Sequence, residues 1–547
     1  MHVAANAAGI APMDTTAGVA MDARGRADPA RRWFIVAWLL LCALKLMLAA
    51  RLPLFVDEAF YWQEGQHLAW AYSDLPALTA WLARLGVALF GSTPLGLRLP
   101  FLLIGALLPW LLVRMAAREF DPATGWRAGL LFLLLPLAGS LGLLALPDVP
   151  LLLASLLCLD ACLRALRRVD AAVAAELALG LAIGGLTHYR YAAVLLAGGL
   201  ALLLLREGRR ALRQPWLWAA LAIGALAWLP LLLWNAQHAE AGLRFQLVER
   251  NPWTFDWQGL RLGALQSLLA TPLLLLALLL AAWRGLRDPR PAARCLALCG
   301  ALLAGGFFLL GFFADRQRVS FHWPLPGHVA LLPLVPAVLA GWARGWRRAT
   351  WAVLGLGQAL ALGYCLMAAL PQGRAWAAAH GLYPANFSDW QALARRVRAQ
   401  RAGLPPETRL LAADFKLGAE LGFALGDPAI AVLDHPLNRK HGRQAQLALW
   451  GLLAESPRTL PRPWLLVASP EHAGFAGEAE YRDWLCAQLG GLPEAQVLQV
   501  DGGGKRFWLL FAAADGAPLP ACAVAPATAA GSPPGAAGGR SRSAAAR

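Results

Sequence analysis

Residues 33–62 read WFIVAWLLLCALKLMLAARLPLFVDEAFYW. Positions 33–50 carry a single charge, Lys45, and are about as long as a helix must be to cross a ~30 Å hydrocarbon layer. Shortly after this stretch come two adjacent acids, Asp57 and Glu58, set among aromatic residues. Ionisable groups at that depth are costly and are kept mainly for function. The plainer use for such a pair is a helix N-terminal cap, since carboxylates favour that end of the helix dipole. The span points to a membrane-embedded helical protein, and the acids point to where its chemistry would lie.

The rest of the chain repeats the apolar half of this pattern. Hydrophobic residues make up 58% of the 547, charged residues only 15%, and mean hydropathy is +0.50. A soluble chain carries about 25% charge. Apolar blocks fall at 33–50, 97–114, 127–146, 149–165, 172–187, 191–205, 216–234, 263–283, 295–314, 324–341 and 350–370, which predicts about eleven transmembrane helices. Arginines gather in every second connection, near 24–32, 114–127, 164–168, 206–213, 284–294 and 344–348. Such loops are cytoplasmic, and all six agree on one topology. The net charge of +16 is thereby read as an orientation signal, and no nucleic-acid partner is expected. Residues 1–32 lack the apolar core of a signal peptide and read as a disordered cytoplasmic leader.

The outward connections are 51–96, the tight turn at 147–148, 188–190, 235–262, 315–323 and everything after 371. They hold most of the acids, histidines and tryptophans. The first has room for one or two amphipathic helices lying on the membrane surface, with Trp62, Trp70, Tyr72 and Trp81 suited to the headgroup layer. Residues 371–522 change to the pattern of a small periplasmic α/β domain. Helices are expected at 388–400, 416–425 and 478–490, and strands near 409–412, 430–433, 464–468 and 506–512. The tail 523–547 is low in complexity and expected to be disordered. Six of the eight cysteines suit no metal or disulfide framework, whereas Cys486 and Cys522 could pair if this domain is periplasmic.

Several outward residues suit chemistry on a lipid phosphate. Asp148 in LPDVP lies in a turn too short to leave the membrane face, although a turn-forming Asp beside Pro is common. Arg98, His188, Arg190, Asn235, His238, Arg316, Arg318 and His322 are outward basic or polar groups. Arginine matches phosphate oxygens best, and interfacial snorkelling is its everyday alternative. No Walker loop, HExxH, GxSxG or DxD-type site is present, so no metal site is indicated and no organic cofactor is expected.

VDEAFYW, YSDLPALTAWL, GLRLP, LPDVPL, LTHYRYA, WNAQHAEAGLRFQ and HWPLP occur in this order. Together they resemble the family of protein O-mannosyltransferases and lipid A aminoarabinose transferases, GT-C type membrane enzymes, over about residues 33–370. The resemblance implies an inverting glycosyltransferase of the bacterial inner membrane with its site on the periplasmic face. It would take a polyprenyl-phosphate-linked sugar as donor and a lipid or glycan as acceptor. Asp57 would be the catalytic base, with Glu58 and Asp148 the further acids. Arg98, His188 and Arg190 would bind the donor phosphate, and Tyr61, Asp74, Asn235, His238, Arg316 and His322 the substrates. After Asp74 relatives usually show His or Lys and two prolines, where this chain has Leu75-Pro76-Ala77. Where many have Lys, it has His188. A protein O-glycosyltransferase, a non-catalytic relative and a transporter are the alternatives.

Overall fold

The computed structural model describes residues 28–251, 253–314, 321–454, 460–471, 475–514 and 518–522. The leader up to residue 27, the tail from 523, and Arg316 and Arg318 lie outside the described residues. Helix starts follow signals spelled out in the sequence. Helix α1, Pro29–Arg51, opens with the Asp28 carboxylate accepting the Ala30 N–H. Thr93 caps Pro94–Glu119 and Asp121 caps Pro122–Leu134 in the same manner. In each case a short side-chain acceptor precedes a proline in the first turn, where no N–H is needed. The first helix thus begins at Pro29, inside what was expected to be the leader.

The protein is a helical membrane protein. Trp33, Leu39 and Leu40 on α1 are each more than half exposed, a face that only lipid would cover favourably. Each of the eleven apolar blocks is largely helical. Among the described residues, five helices are long and apolar enough to cross a membrane: Pro29–Arg51, Pro94–Glu119, Pro215–Gln237, Pro291–Leu310 and Arg344–Ala369. A sixth span would be the pair Trp257–Leu269 and Pro272–Leu286, bent by 106°. The sequence reading took 263–283 as one span. Pro272 has no N–H to continue the helix, and Thr271 before it takes φ +64°. The block at 127–146 is likewise cut after Leu134, ahead of Pro136.

The first long connection, residues 51–96, forms two helices, α2 (Val56–Gln66) and α3 (Leu78–Phe90). Helix α3 folds back on Pro94–Glu119, hereafter α4. A Cβ at Gly86 would come within 2.4 Å of the Gly96 carbonyl, so this close crossing requires glycine.

The C-terminal region carries one six-stranded sheet in the order β3-β2-β1-β4-β6-β5. The strands are β1 Arg409–Ala412, β2 Ala431–Leu433, β3 Leu453–Ala454, β4 Trp464–Ala468, β5 Ala495–Val500 and β6 Lys505–Ala512. The first four pair in parallel, and β6 runs antiparallel to both β4 and β5. Trp390–Ala402, Phe415–Leu425 and Glu478–Leu489 are helices, close to the expected positions. Cys486 and Cys522 form a disulfide, with Cα atoms 6.2 Å apart.

This sheet does not keep its core to itself. Phe60 and Trp62 of α2, Leu97 and Phe101 of α4, and Phe415, Leu421 and Val467 of the C-terminal region belong to one buried cluster. Phe60 meets Phe415 edge-on at 5.7 Å, and Trp62 meets Phe423 at 5.4 Å. Such aromatic pairs are worth about 0.5–1.5 kcal/mol each beyond simple burial. The Gln63 side chain adds a hydrogen bond to the Pro428 carbonyl at 2.9 Å. The first loop and the C-terminal domain are one packed unit.

Candidate functional site

The first turn of α2 separates the two acids. Glu58 turns inward. Its carboxylate accepts the backbone N–H of Phe55 at 2.8 Å and of Ala145 at 2.7 Å, closing the helix start. It also takes two bonds from Arg98, at 2.8 and 2.6 Å. Arg98 gives its three remaining N–H groups to the carbonyls of Ala49, Leu52 and Pro53, so all five donors are used. Both side chains are 0% exposed. The pair therefore holds the end of α1 against α2 and α4. This corrects two expectations: Glu58 has no oxygen free for substrate, and Arg98 has no donor free for a phosphate.

Asp57 points the other way and keeps 33% of its side chain exposed. Its partner is Arg443, which follows the short C-terminal helix Pro436–Lys440, at 2.8 Å. The same guanidinium reaches Asp74 at 3.2 Å and lies over the rings of Phe60 and Phe415 at 4.2 and 4.5 Å. Burial pushes the Asp57 carboxyl up, but Arg443, His441 and Lys416 more than offset it, and the net shift is downward. Asp57 is thus a carboxylate at neutral pH. Tyr61 is buried beside it and stays protonated. Next to Asp74 lies Glu64, a second buried acid, whose carboxyl is pushed well up by burial and by Asp74.

Backbone and amide bonds fix this corner. Ser73 donates its hydroxyl to the Gly442 carbonyl at 2.5 Å and its N–H to Gln446 at 3.0 Å. Gln246 donates to the Asp74 carbonyl at 2.8 Å. The position after Asp74, where relatives carry a base, is the buried Leu75, and the cation at Asp74 comes instead from Arg443.

A second group gathers around Asp148, which opens the helix Asp148–Ala165. Arg190 donates to its carboxylate, and the other arm of Arg190 meets His322 at 3.0 Å. His322 is 3.6 Å from Asp148. Burial pushes the His322 ring down to about 4, so it is neutral and accepts from Arg190. The negative charge of Asp57 is felt at His322. Arg190 and Arg250 both lie over Trp323, at 5.8 and 5.1 Å. The Nε of Arg190 is buried without a hydrogen-bond partner.

The remaining expected residues separate by what they touch. His188 is buried, its Nδ1 accepts the Arg190 backbone N–H at 3.1 Å, and burial pushes its ring well below the usual value. It orients Arg190 but has no positive charge to give a phosphate, a third expectation corrected. Asn235 is spent on structure: it bonds Tyr189, the Leu231 carbonyl and the N–H groups of Gly242 and Leu243. His238 stacks on Trp234 at 4.3 Å and bonds its carbonyl. Arg443, Arg250 and Glu64 escaped the sequence reading. Arg443 sits in HGRQAQ, a polar stretch with no local mark of function. Among the described residues, no group of three or more His, Cys, Asp or Glu is placed to hold a metal ion.

Known proteins resemble this chain in sequence and in fold. The family model described as dolichyl-phosphate-mannose-protein mannosyltransferase matches residues 74–234. A lipid A galacturonosyltransferase of Rhizobium johnstonii is 31% identical over 239 residues, 43% of this chain and 50% of the relative. The chain thus spans about half the length of the curated relative it matches. Among solved structures, apo ArnT from Cupriavidus metallidurans superposes with a TM-score of 0.63 at 15% identity, over 89% of this chain and 98% of that one. ArnT from the same organism bound to undecaprenyl phosphate gives 0.58 at 17% identity, over 88% and 98%.

Proposed function

We propose that this chain, a GT-C type relative of the protein O-mannosyltransferases and of ArnT, transfers a sugar from a polyprenyl phosphate to a lipid A-type acceptor at the periplasmic face of the inner membrane. The observation that carries this reading is the division of labour between two adjacent acids. Glu58 is saturated and sealed, whereas Asp57 is ionised, partly exposed and held from one side only. A general base needs that state: a free oxygen, deprotonated at working pH, within reach of a hydroxyl. Asp57 takes the proton of the acceptor hydroxyl as that oxygen attacks the anomeric carbon. The polyprenyl phosphate leaves from the opposite face, so the configuration inverts.

The leaving phosphate needs cations at the membrane boundary, and Arg190 and Arg250 beside Trp323 supply them. The unpartnered Nε of Arg190 is the donor ready to meet a phosphate oxygen. Asp148 and His322 hold the guanidinium in place. A lipid A-type acceptor is favoured by the similarity to the Rhizobium johnstonii enzyme, and a polyprenyl phosphate by the ligand of the second ArnT structure. The Cys486–Cys522 bond suits an oxidising compartment, in keeping with a periplasmic C-terminal domain.

The test compares membranes holding the parent chain or Asp57→Asn, supplied with lipid A and an extract rich in polyprenyl-phosphate sugars. Mass spectrometry should show lipid A heavier by one sugar with the parent and roughly 100- to 10,000-fold less with the variant. Equal product from both would remove Asp57 from the mechanism. Absence of product with the parent would remove lipid A or the donor class.

A further inference from the structure

Resting on that reading, we propose that Arg443 is the positioning residue of the reaction, supplied by the C-terminal domain to fix Asp57 for proton abstraction. Geometry gives it no simpler use. A guanidinium only 4% exposed is costly to bury, and a fold needing apolar contact alone would place a leucine there. Instead the Arg443 guanidinium lies over the rings of Phe60 and Phe415, with one edge on Asp57 and the Nε on Asp74. Two carboxylates on one planar fork define the direction of each, as a point-charge ammonium would not. The turn that bears it is tied to the first loop on either side, through Ser73 to Gly442 and to Gln446. Its Nη1 is buried without a hydrogen-bond partner, so the fork keeps one nitrogen in hand beside the base.

The charge balance around Asp57 explains why such a residue is required. The first loop alone surrounds it with Tyr61, Glu64 and Asp74, and Glu420 lies on the C-terminal side, all of them acidic groups. The cations are Arg443, Lys416 and, when protonated, His441; the His322 ring is neutral. Of these Arg443 touches Asp57 and acts most strongly on it. Without it, burial would favour a protonated Asp57, which cannot accept a proton. The sign follows: in the parent the base stays ionised as pH falls through the ordinary carboxylate range, near 3.9 for aspartate. In Arg443→Gln its titration moves to higher pH.

The experiment reads the titration of Asp57 directly, in the full chain, by infrared spectroscopy. Its carboxylate band is assigned as the one lost in Asp57→Asn. Arg443→Gln should titrate at clearly higher pH than the parent and lose about 100-fold in turnover of lipid A and polyprenyl-phosphate sugar, the scale of a misplaced reacting group. Arg443→Lys keeps the charge but not the fork. It should titrate like the parent while turning over roughly tenfold more slowly. An unchanged midpoint in Arg443→Gln overturns the proposal. So does full turnover in Arg443→Lys, which decides the matter if the glutamine variant does not fold. A parent chain that titrates as described but makes no product would sink the transferase reading and leave the placement of Arg443 standing.

Discussion

Glu58 and Asp57 each face an arginine, at 2.6 and 2.8 Å, and each arginine lies within an apolar setting. Arg98 comes from α4, 40 residues on, and every donor it owns is satisfied. Arg443 comes from the far end of the chain and leaves one nitrogen without a partner. The first pair is a fastener, complete without any ligand. The second is unfinished, and its acid retains access to solvent. On the proposed function, two ion pairs of the same chemistry differ in role because one has exhausted its hydrogen-bonding capacity and the other has not.

The sharpest way to break the contrast is to remove one partner of the sealed pair. Arg98→Met leaves Glu58 charged and buried, and should cost about 3–5 kcal/mol, read as a large drop in thermal stability in detergent. Replacing both, with Glu58→Leu and Arg98→Met, should recover part of that loss, because the uncompensated charge goes too. Asp57→Asn should leave stability within about 1 kcal/mol of the parent, since Arg443 keeps Asp74, while abolishing transfer. Comparable destabilisation by Asp57→Asn and Arg98→Met would erase the distinction.

A smaller effect should come from the second cluster. Arg190→Ala removes one charge-assisted contact to the donor phosphate, worth about 1.5–3 kcal/mol, or roughly 10- to 150-fold in donor affinity. It should appear in the donor concentration dependence, with acceptor dependence little changed. Donor use equal to the parent, with Arg250→Ala defective, would move the phosphate to Arg250. Smallest of all should be the effect at a half-exposed ion pair. Arg167 pairs with Glu119 at 2.6 Å but is 53% exposed, and Glu119 keeps Arg118 as a second partner. Arg167→Ala should shift stability by no more than about 1 kcal/mol. A larger loss there would show that distance to a carboxylate, rather than burial, ranks these pairs.

What was legible in the sequence follows the range of the forces involved. Helix starts were readable because a cap and a proline act on their own neighbours, as at Asp28-Pro29 and Thr93-Pro94. Strands β1, β2, β4 and β6 were readable as short apolar runs. Strand β3 is two residues long, and β5 is an edge strand whose Gln496, Val497 and Gln499 face solvent, so neither carries an apolar run. The bend at Thr271 was missed because the apolar block continues straight through it, although Pro272 was there to be weighed. Asp57, Asp148 and Arg190 stood out as charges beside apolar spans. The separation of Glu58 from Asp57 did not, since it depends on Arg98, Ala145 and Arg443, which only the folded chain brings near. Arg443 left no local trace because its meaning lies in a contact 369 residues away from Asp74.

That separation has a consequence for how the protein comes to life on the ribosome. The first loop emerges early, while the residue that completes it is made hundreds of codons later. At ~5–20 residues per second, the interval is roughly 20–75 seconds. During it Asp57 has neither its arginine nor the aromatic floor of Phe415, and Phe60 and Trp62 lack their partners. On the proposed function, a nascent chain would be inert toward the lipids around it until its last domain has docked. Chains released early would carry the membrane helices and still be silent, so synthesis itself would act as proofreading for completeness.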